Sequence, residues 1–177
     1  MENNDVFLTL RKETVYKNKW SSITKTLLKT KGLEKEIFTT NFGRRSAVIL
    51  FSENKVLLTK QYRLLIDDFS WEIPGGKAEK SETFEKAAIR ECLEETSYDC
   101  RSLSLLISFE PGLETLNNPT QIFLSKDFEK VKTDKNRETV ESKWFEVDQI
   151  KELYSQGFFL DSLTIIGLQA LLLQNLK

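Results

Sequence analysis

Histidine occurs nowhere in the 177 residues. Its absence excludes a Ser-His-Asp triad, a Cys-His dyad, a histidine general base and any histidine-ligated zinc, so catalysis has to rest on carboxylates, lysines or metals. Cysteine is nearly as scarce. Cys92 and Cys100 lack metal-site spacing, imply no disulfide framework, and read as the reduced thiols of a cytosolic protein. Long apolar runs are missing too. The richest stretch, Leu160 to Leu176, is broken by Asp161, Ser162, Thr164, Gly167, Gln169 and Gln174, which suits a docked C-terminal helix and not a membrane span. The polar start, Met1 to Asp5, has no apolar segment behind it, so no signal or transit peptide is visible and a cytoplasmic protein is expected. There is little net charge: 26 Lys and Arg against 27 Asp and Glu leave 26 − 27 = −1, which is no field to hold a polyanion, and nucleic acid is not an expected partner.

What is present suits a folded chain built largely around one shared core, since 40% of residues are apolar and 30% charged. No internal repeat or low-complexity tract interrupts it. Residues 5 to 30 alternate apolar and polar over short runs, as in Val6-Phe7-Leu8-Thr9-Leu10, which predicts antiparallel strands in a small N-terminal subdomain over residues 1–42. The main domain then takes residues 43–177. Ala47 to Phe51 and Lys55 to Tyr62 read as a hairpin joined by Ser52-Glu53-Asn54. Ser81 is the expected N-cap of a helix running to about Thr96. Strands are expected near residues 101 to 109, 120 to 125 and 139 to 147, with helices near 148 to 156 and 160 to 175. Strands on both sides of a central helix make an α/β sandwich with a mixed sheet the expected fold class.

Inside the central helix Glu91, Glu94 and Glu95 cluster. At about 100° per residue Glu94 lies about −60° and Glu95 about +40° from Glu91, so the three share a sector, while Ala88, Ile89, Cys92 and Leu93 supply the core-facing stripe. Glu91 and Glu95 stand at i,i+4, a repulsive spacing that asks for a cation or strong solvent screening. A hard divalent metal would supply the cation; a solvated acidic face with surface ion pairs is the plain alternative. The preceding Trp71-Glu72-Ile73-Pro74-Gly75-Gly76-Lys77 favours the metal, because proline and paired glycines bring bare backbone close to the carboxylates.

Gly76, five residues, Glu82, seven residues, then Arg90-Glu91-Cys92-Leu93-Glu94-Glu95-Thr96-Ser97-Tyr98 resembles the Nudix box. Ser97 departs from the pattern, which has glycine there, at a helix end that often needs positive φ. The resemblance implies a Nudix-type α/β/α sandwich and hydrolysis of a nucleoside diphosphate linked to another moiety. Magnesium or manganese would be held by Glu91, Glu94, Glu95 and the Gly75 carbonyl, with Arg90 serving the catalytic set through structural ion pairs. Gln61-Tyr62-Arg63 before Trp71-Glu72, and Pro111-Gly112 after the box, look like the branch of ADP-ribose and GDP-mannose pyrophosphatases. Tyr16-Lys17-Asn18-Lys19-Trp20 is similar to an N-terminal pattern of that branch, where such strands form a homodimer and part of the base pocket.

On that resemblance Arg63, Arg44, Glu72, Trp20, Pro111 and Gly112 are the expected substrate-binding residues. Trp20 is a nucleobase-stacking candidate or a core aromatic. Arg63 and Arg44 are candidates for the diphosphate or ordinary surface arginines. The catalytic carboxylate is Glu138, two residues before Val140 and six before Trp144, with Glu141 the alternative, and Glu94 completes the catalytic set. The expected substrate is ADP-ribose, with GDP-mannose and other nucleotide sugars next. Two further readings remain: a sensor that binds nucleotide sugars without cleaving them, and a hydrolase of damaged nucleoside triphosphates.

Overall fold

The computed structural model describes residues 7–132 and 139–174. In chain order the elements are β1 (Leu8–Lys17), β2 (Ser22–Thr30), β3 (Leu33–Asn41), β4 (Arg45–Ser52), β5 (Lys55–Arg63), β6 (Asp68–Glu72), β7 (Gly75–Lys77), α1 (Phe84–Thr96), β8 (Tyr98–Phe109), β9 (Leu116–Asn117), β10 (Thr120–Lys130), β11 (Thr139–Glu146), α2 (Val147–Ser155) and α3 (Ser162–Gln174). They fall into two compact units. One comprises the described residues of Met1–Arg44 with Phe109–Thr120, the other those of Arg45–Ser108 with Gln121–Lys177.

In the first unit β1, β2 and β3 form an antiparallel meander, and β9 adds to β3 in parallel through Thr40 opposite Leu116. The β2–β3 turn is Lys31-Gly32, both at positive φ (48° and 79°), the geometry whose twist matches flanking strands. This sheet has little interior: Leu8, Leu10, Val15, Tyr16, Leu33 and Phe38 all remain exposed.

The second unit carries the main sheet, in the order β11-β5-β4-β10-β8, with β6 paired to β5 and β7 to β4. The expected hairpin is present, and its turn is Glu53-Asn54 with φ of 49° and 61°. Strand β4 changes partner along its length, pairing with β5 at Phe51 and Ser52 and with β7 at Arg45 to Ala47. That switch brings the Gly75-Gly76 segment against the sheet. Adjacent residues of β10 face opposite ways. Phe123 joins Val48, Leu50, Leu57, Ala88 and Cys92 in a core under α1, whereas Ile122 packs near Gly167 of α3. Helices therefore cover both faces of the sheet, the expected α/β/α layering. Full burial of each such Val, Leu or Phe is worth about 1.5–3 kcal/mol.

Helix α1 starts later than expected. Thr83 and not Ser81 is the N-cap, its hydroxyl accepting from Lys86 N at 3.2 Å, because a turn closed by Glu82 N to Glu79 O (3.2 Å) occupies the preceding residues. At the other end Ser97 adopts the left-handed conformation (φ 62°, ψ 25°), and its N–H reaches Leu93 O at 3.0 Å. Serine thus makes the turn for which the motif has glycine. A β-branched residue tolerates that region badly. Ser97→Val is expected to cost about 1–2 kcal/mol, read as a lower urea midpoint with an unchanged m-value.

Candidate active site

Residues of β5, the β6–β7 segment and α1 meet at one place in the second unit. Antiparallel pairing sets Thr59 opposite Glu72 and Gln61 opposite Ser70, so β5 presents Thr59, Gln61 and Arg63 on one face by the two-residue period. Glu72 is 3% exposed and Gln61 3%, so this polar face is buried and must satisfy itself. Arg63 reaches along it and grips Glu72 with two bonds, Nε to Oε1 at 2.8 Å and Nη2 to Oε2 at 2.5 Å. The fork expected to meet a diphosphate is therefore engaged by Glu72. Arg63 still keeps 39% of its side chain exposed.

The three helix carboxylates differ in depth. Glu94 is 46% exposed and Glu91 13% by side chain, while Glu95 is 4% exposed as a residue. The helical wheel places them in one sector but cannot show that α1 packs on β4 and β7, which bury Glu95. The Gly75 amide donates to Glu95 Oε2 at 3.3 Å, and the Gln61 side chain also stabilises its charged form. Even so, burial, followed by the charge of Glu91, pushes the Glu95 carboxyl up to about 8. Burial raises Glu91 too, with Arg90 opposing.

Arg90 anchors this turn of the helix. Its Nε and Nη2 bond Glu82 at 3.0 Å each, Nη1 bonds Glu91 at 2.9 Å and Glu94 at 3.4 Å, and Nη2 also reaches the Lys77 carbonyl at 3.0 Å. The guanidinium is held firmly charged by these partners. Close approach of backbone to carboxylate is enforced at Gly76, where a Cβ would stand 2.6 Å from Glu91 Cδ. Gly75 is equally confined, since a Cβ there would lie 2.5 Å from that of Ala47.

Among the described residues no three carboxylates or thiols stand together closely enough to hold a metal ion. The donors nonetheless fit a hard divalent cation: they are oxygens, Glu91 and Glu95 are mutually repulsive and desolvated, and one is approached across a glycine whose missing side chain leaves the space open.

Of the other expected residues, Glu138 lies outside the described residues. Its neighbour Thr139 sits opposite Gln61 across the β11–β5 pairing. Glu141 follows on β11, exposed. Trp20, Arg44, Pro111 and Gly112 belong to the first unit. Trp20 is 64% exposed at the β1–β2 turn, where Asn18 Oδ1 accepts from Trp20 N and Ser21 N at 2.7 Å, so it is not a core aromatic. The Gly112 carbonyl closes a turn onto Leu116 N at 2.8 Å. Gln61, quoted above only within a branch pattern and given no role of its own, lies on the same buried polar face as Thr59. Its signal was the polar alternation Thr59, Gln61, Arg63 directly after the apolar Val56-Leu57-Leu58.

The family model for the NUDIX domain matches residues 41–160. A CMP-5'-(N-acetyl-N-hydroxy-3-aminopropyl)phosphonate hydrolase of Streptomyces rubellomurinus is 30% identical over 131 residues, 73% of this chain and 64% of its own length. A methanol dehydrogenase activator of Bacillus methanolicus is 30% identical over 137 residues, covering 75% and 74%. An ADP-ribose pyrophosphatase of Bacillus subtilis is 29% identical over 108 residues, covering 61% and 57%. The chain thus spans less than two thirds of the first and third of these relatives. A solved structure described as an ADP compounds hydrolase superposes with a TM-score of 0.81 at 14% identity over 95% of this chain and 93% of that one, a likeness of fold.

The raised Glu95 pKa sets a pH dependence of stability. Its folded value, about 8, lies above the ordinary 4.5, so between these the folded state keeps a proton that the unfolded chain gives up. The stability from that proton is full below about pH 4.5 and is lost as pH rises through about 8. Metal-free Glu95→Gln cannot ionise. Its urea midpoint is expected to exceed that of the unsubstituted protein at pH 9 and to match it at pH 4.

Proposed function

Because the chain belongs to the NUDIX family, we propose that it is a divalent-metal-dependent pyrophosphatase that splits the diphosphate of a nucleotide sugar into a nucleoside monophosphate and a sugar phosphate. The observation that carries this reading is the set of carboxylates on one turn of α1, organised by Arg90 and brought against backbone at Gly75 and Gly76. ADP-ribose stands first among substrates, with GDP-mannose or another nucleotide sugar next. The Bacillus subtilis relative, an ADP-ribose pyrophosphatase, supports that order.

Glu91, Glu94, Glu95 and the Gly75 carbonyl would hold magnesium or manganese. Such an ion, when bound, offsets the charge of the diphosphate oxygens and lowers the pKa of the attacking water. Arg90 acts by keeping Glu91 and Glu94 in place. Glu138 takes or orients the water proton, attack on phosphorus runs in line, and a phosphate group leaves. Thr139, the residue after Glu138, lies opposite Gln61 on the strand that carries Arg63, which supports the assignment. Arg63 serves the diphosphate with the donors that Glu72 leaves over, and Arg44 is assigned the same ligand. Trp20, exposed and capped by Lys19 Nζ at 4.3 Å from its ring centroid, is assigned to nucleobase stacking, with Pro111 and Gly112 shaping the substrate end.

Hydrolysis of ADP-ribose, GDP-mannose, other nucleotide sugars and nucleoside triphosphates, with magnesium or manganese, tests the substrate class. Release of a monophosphate and a sugar phosphate is expected; binding without turnover would favour a sensor, and preference for triphosphates would move the substrate. In the active case Glu138→Gln is expected to lower kcat on the order of 10² to 10⁴, and Glu141→Gln much less. The reverse ranking would transfer the role to Glu141.

We also assign a homodimer in the cytoplasm. The exposed apolar residues of β1 to β3, among them Leu33 at 72%, form a surface that a second copy would bury. Light scattering at micromolar concentration is expected to give twice the chain mass, and a monomer there would refute the assignment.

A further inference from the structure

Strand β6 ends its pairing with β5 at Glu72, so the Ile73 N–H leaves that ladder while Ile73 is still buried, at 2% exposure. A buried backbone donor without an acceptor is costly. The acceptor comes from α3, on the face of the sheet opposite α1: Ile73 N donates to Thr164 Oγ1 at 3.1 Å. Thr164 is fully buried, and the one hydrogen of its hydroxyl goes to Asp161 Oδ2 at 2.9 Å. The same oxygen accepts from Thr164 N at 2.9 Å and so caps the first turn of α3. Asp161 Oδ1 stands 3.7 Å from Arg45 Nη2. A relay therefore runs from Ile73 N–H through Thr164 to Asp161, and it fixes which way the hydroxyl points.

The next two residues are held as well. Pro74 O accepts from Val48 N of β4 at 3.1 Å. That bond flanks the pairing of Ala47 with Gly75 and makes it a non-hydrogen-bonded pair, so the Gly75 N–H and carbonyl both point away from β4. The N–H goes to Glu95 Oε2 at 3.3 Å. Helix α3 adds a steric hold, since a Cβ at Gly167 would stand 3.0 Å from Ile73 Cδ1. Three successive residues are thus tied to α3, β4 and α1 in turn. We propose that Thr164, oriented by Asp161, is a positioning residue: from the far face of the sheet it fixes the Ile73-Pro74 backbone and so sets the Gly75 carbonyl for a divalent cation. The inference rests on the metal-dependent reading above. Without the hydroxyl the Ile73 peptide has to turn toward another acceptor, and the fixed φ of Pro74 passes that movement on to Gly75.

The test compares Thr164→Val, which keeps the shape and removes the hydroxyl, with Thr164→Ser, which restores it. In the metal-free protein, hydrogen exchange at the Gly75 amide is expected to accelerate in Thr164→Val by more than at Leu57 of β5, whereas a merely structural role would move the two alike. Mn²⁺ affinity by titration calorimetry is expected to fall about 10-fold, the lower end for groups that act behind metal ligands, and to return in Thr164→Ser. kcat should fall with it, while KM for the nucleotide sugar stays within about twofold of the unsubstituted value. Unchanged Mn²⁺ affinity in folded Thr164→Val overturns the proposal, whatever its urea midpoint, and so does a loss that Thr164→Ser fails to restore. If Thr164→Val does not fold, Asp161→Ala decides: it leaves the hydroxyl in place without its acceptor, and unchanged Gly75 exchange relative to Leu57 overturns the proposal alone. An unsubstituted protein that binds no Mn²⁺ refutes both this proposal and the metal-dependent reading. One that binds Mn²⁺ but cleaves none of the substrates refutes only the hydrolase, and Mn²⁺ affinity still decides Thr164.

Discussion

Glu95 is held where water reaches it poorly, one helical turn from Glu91, and much of the second unit is arranged around the electrostatic stress this creates. Two like charges at i,i+4 repel even on a solvated helix, and burial of one multiplies the cost. The surroundings answer with donors and not with space: the Gly75 amide and Gln61 on Glu95, and Arg90 on Glu91. None of these fully cancels the stress, because the Glu95 carboxyl remains well above its ordinary range. The divalent cation proposed above would relieve it.

Arg90 and Arg63 do different work in that arrangement. Arg90 ties two strand-proximal points, Glu82 and the Lys77 carbonyl, to the helix, so the carboxylate-bearing turn cannot drift relative to the glycines that face it. Arg63 neutralises Glu72, which at 3% exposure would otherwise be a buried unpaired charge. Had Arg63 been committed wholly to a ligand, Glu72 would carry that penalty whenever the ligand left. Its bidentate grip is therefore a condition of the metal-free fold, and any contact with a diphosphate has to use what the grip leaves over.

Much of this was legible in the residues because the relevant signals are local. The hairpin at Glu53-Asn54, the helix ending at Thr96, the strands flanking it and the C-terminal helix follow from periodicity and turn chemistry. The spacing of Gly76, Glu82, Arg90 and the glutamates pointed to the same chemistry that the domain match supports. What was not legible depends on partners distant in sequence. The helical wheel put Glu95 in a polar sector, but its burial comes from the packing of α1 on β4 and β7; the Arg63 fork is spent on Glu72 because β6 folds back on β5; and Ser81 lost the N-cap to Thr83 through a turn between Glu79 and Glu82. Strand β7 was hidden inside the same Pro-Gly-Gly segment that read only as a turn.

The one departure from the motif, Ser97, shows which of its glycines are dispensable. At Ser97 the demand is a left-handed dihedral, and a small polar residue meets it while keeping the N–H to Leu93 bond that ends the helix. At Gly76 the demand is space. A Cβ there would stand 2.6 Å from Glu91, so the carboxylate itself would have to leave, and with it the bond from Arg90. A dihedral cost is spread over the stability of the whole domain, but a steric one falls on the functional group. The motif can therefore lose its last glycine without losing the arrangement of carboxylates, and cannot lose its first.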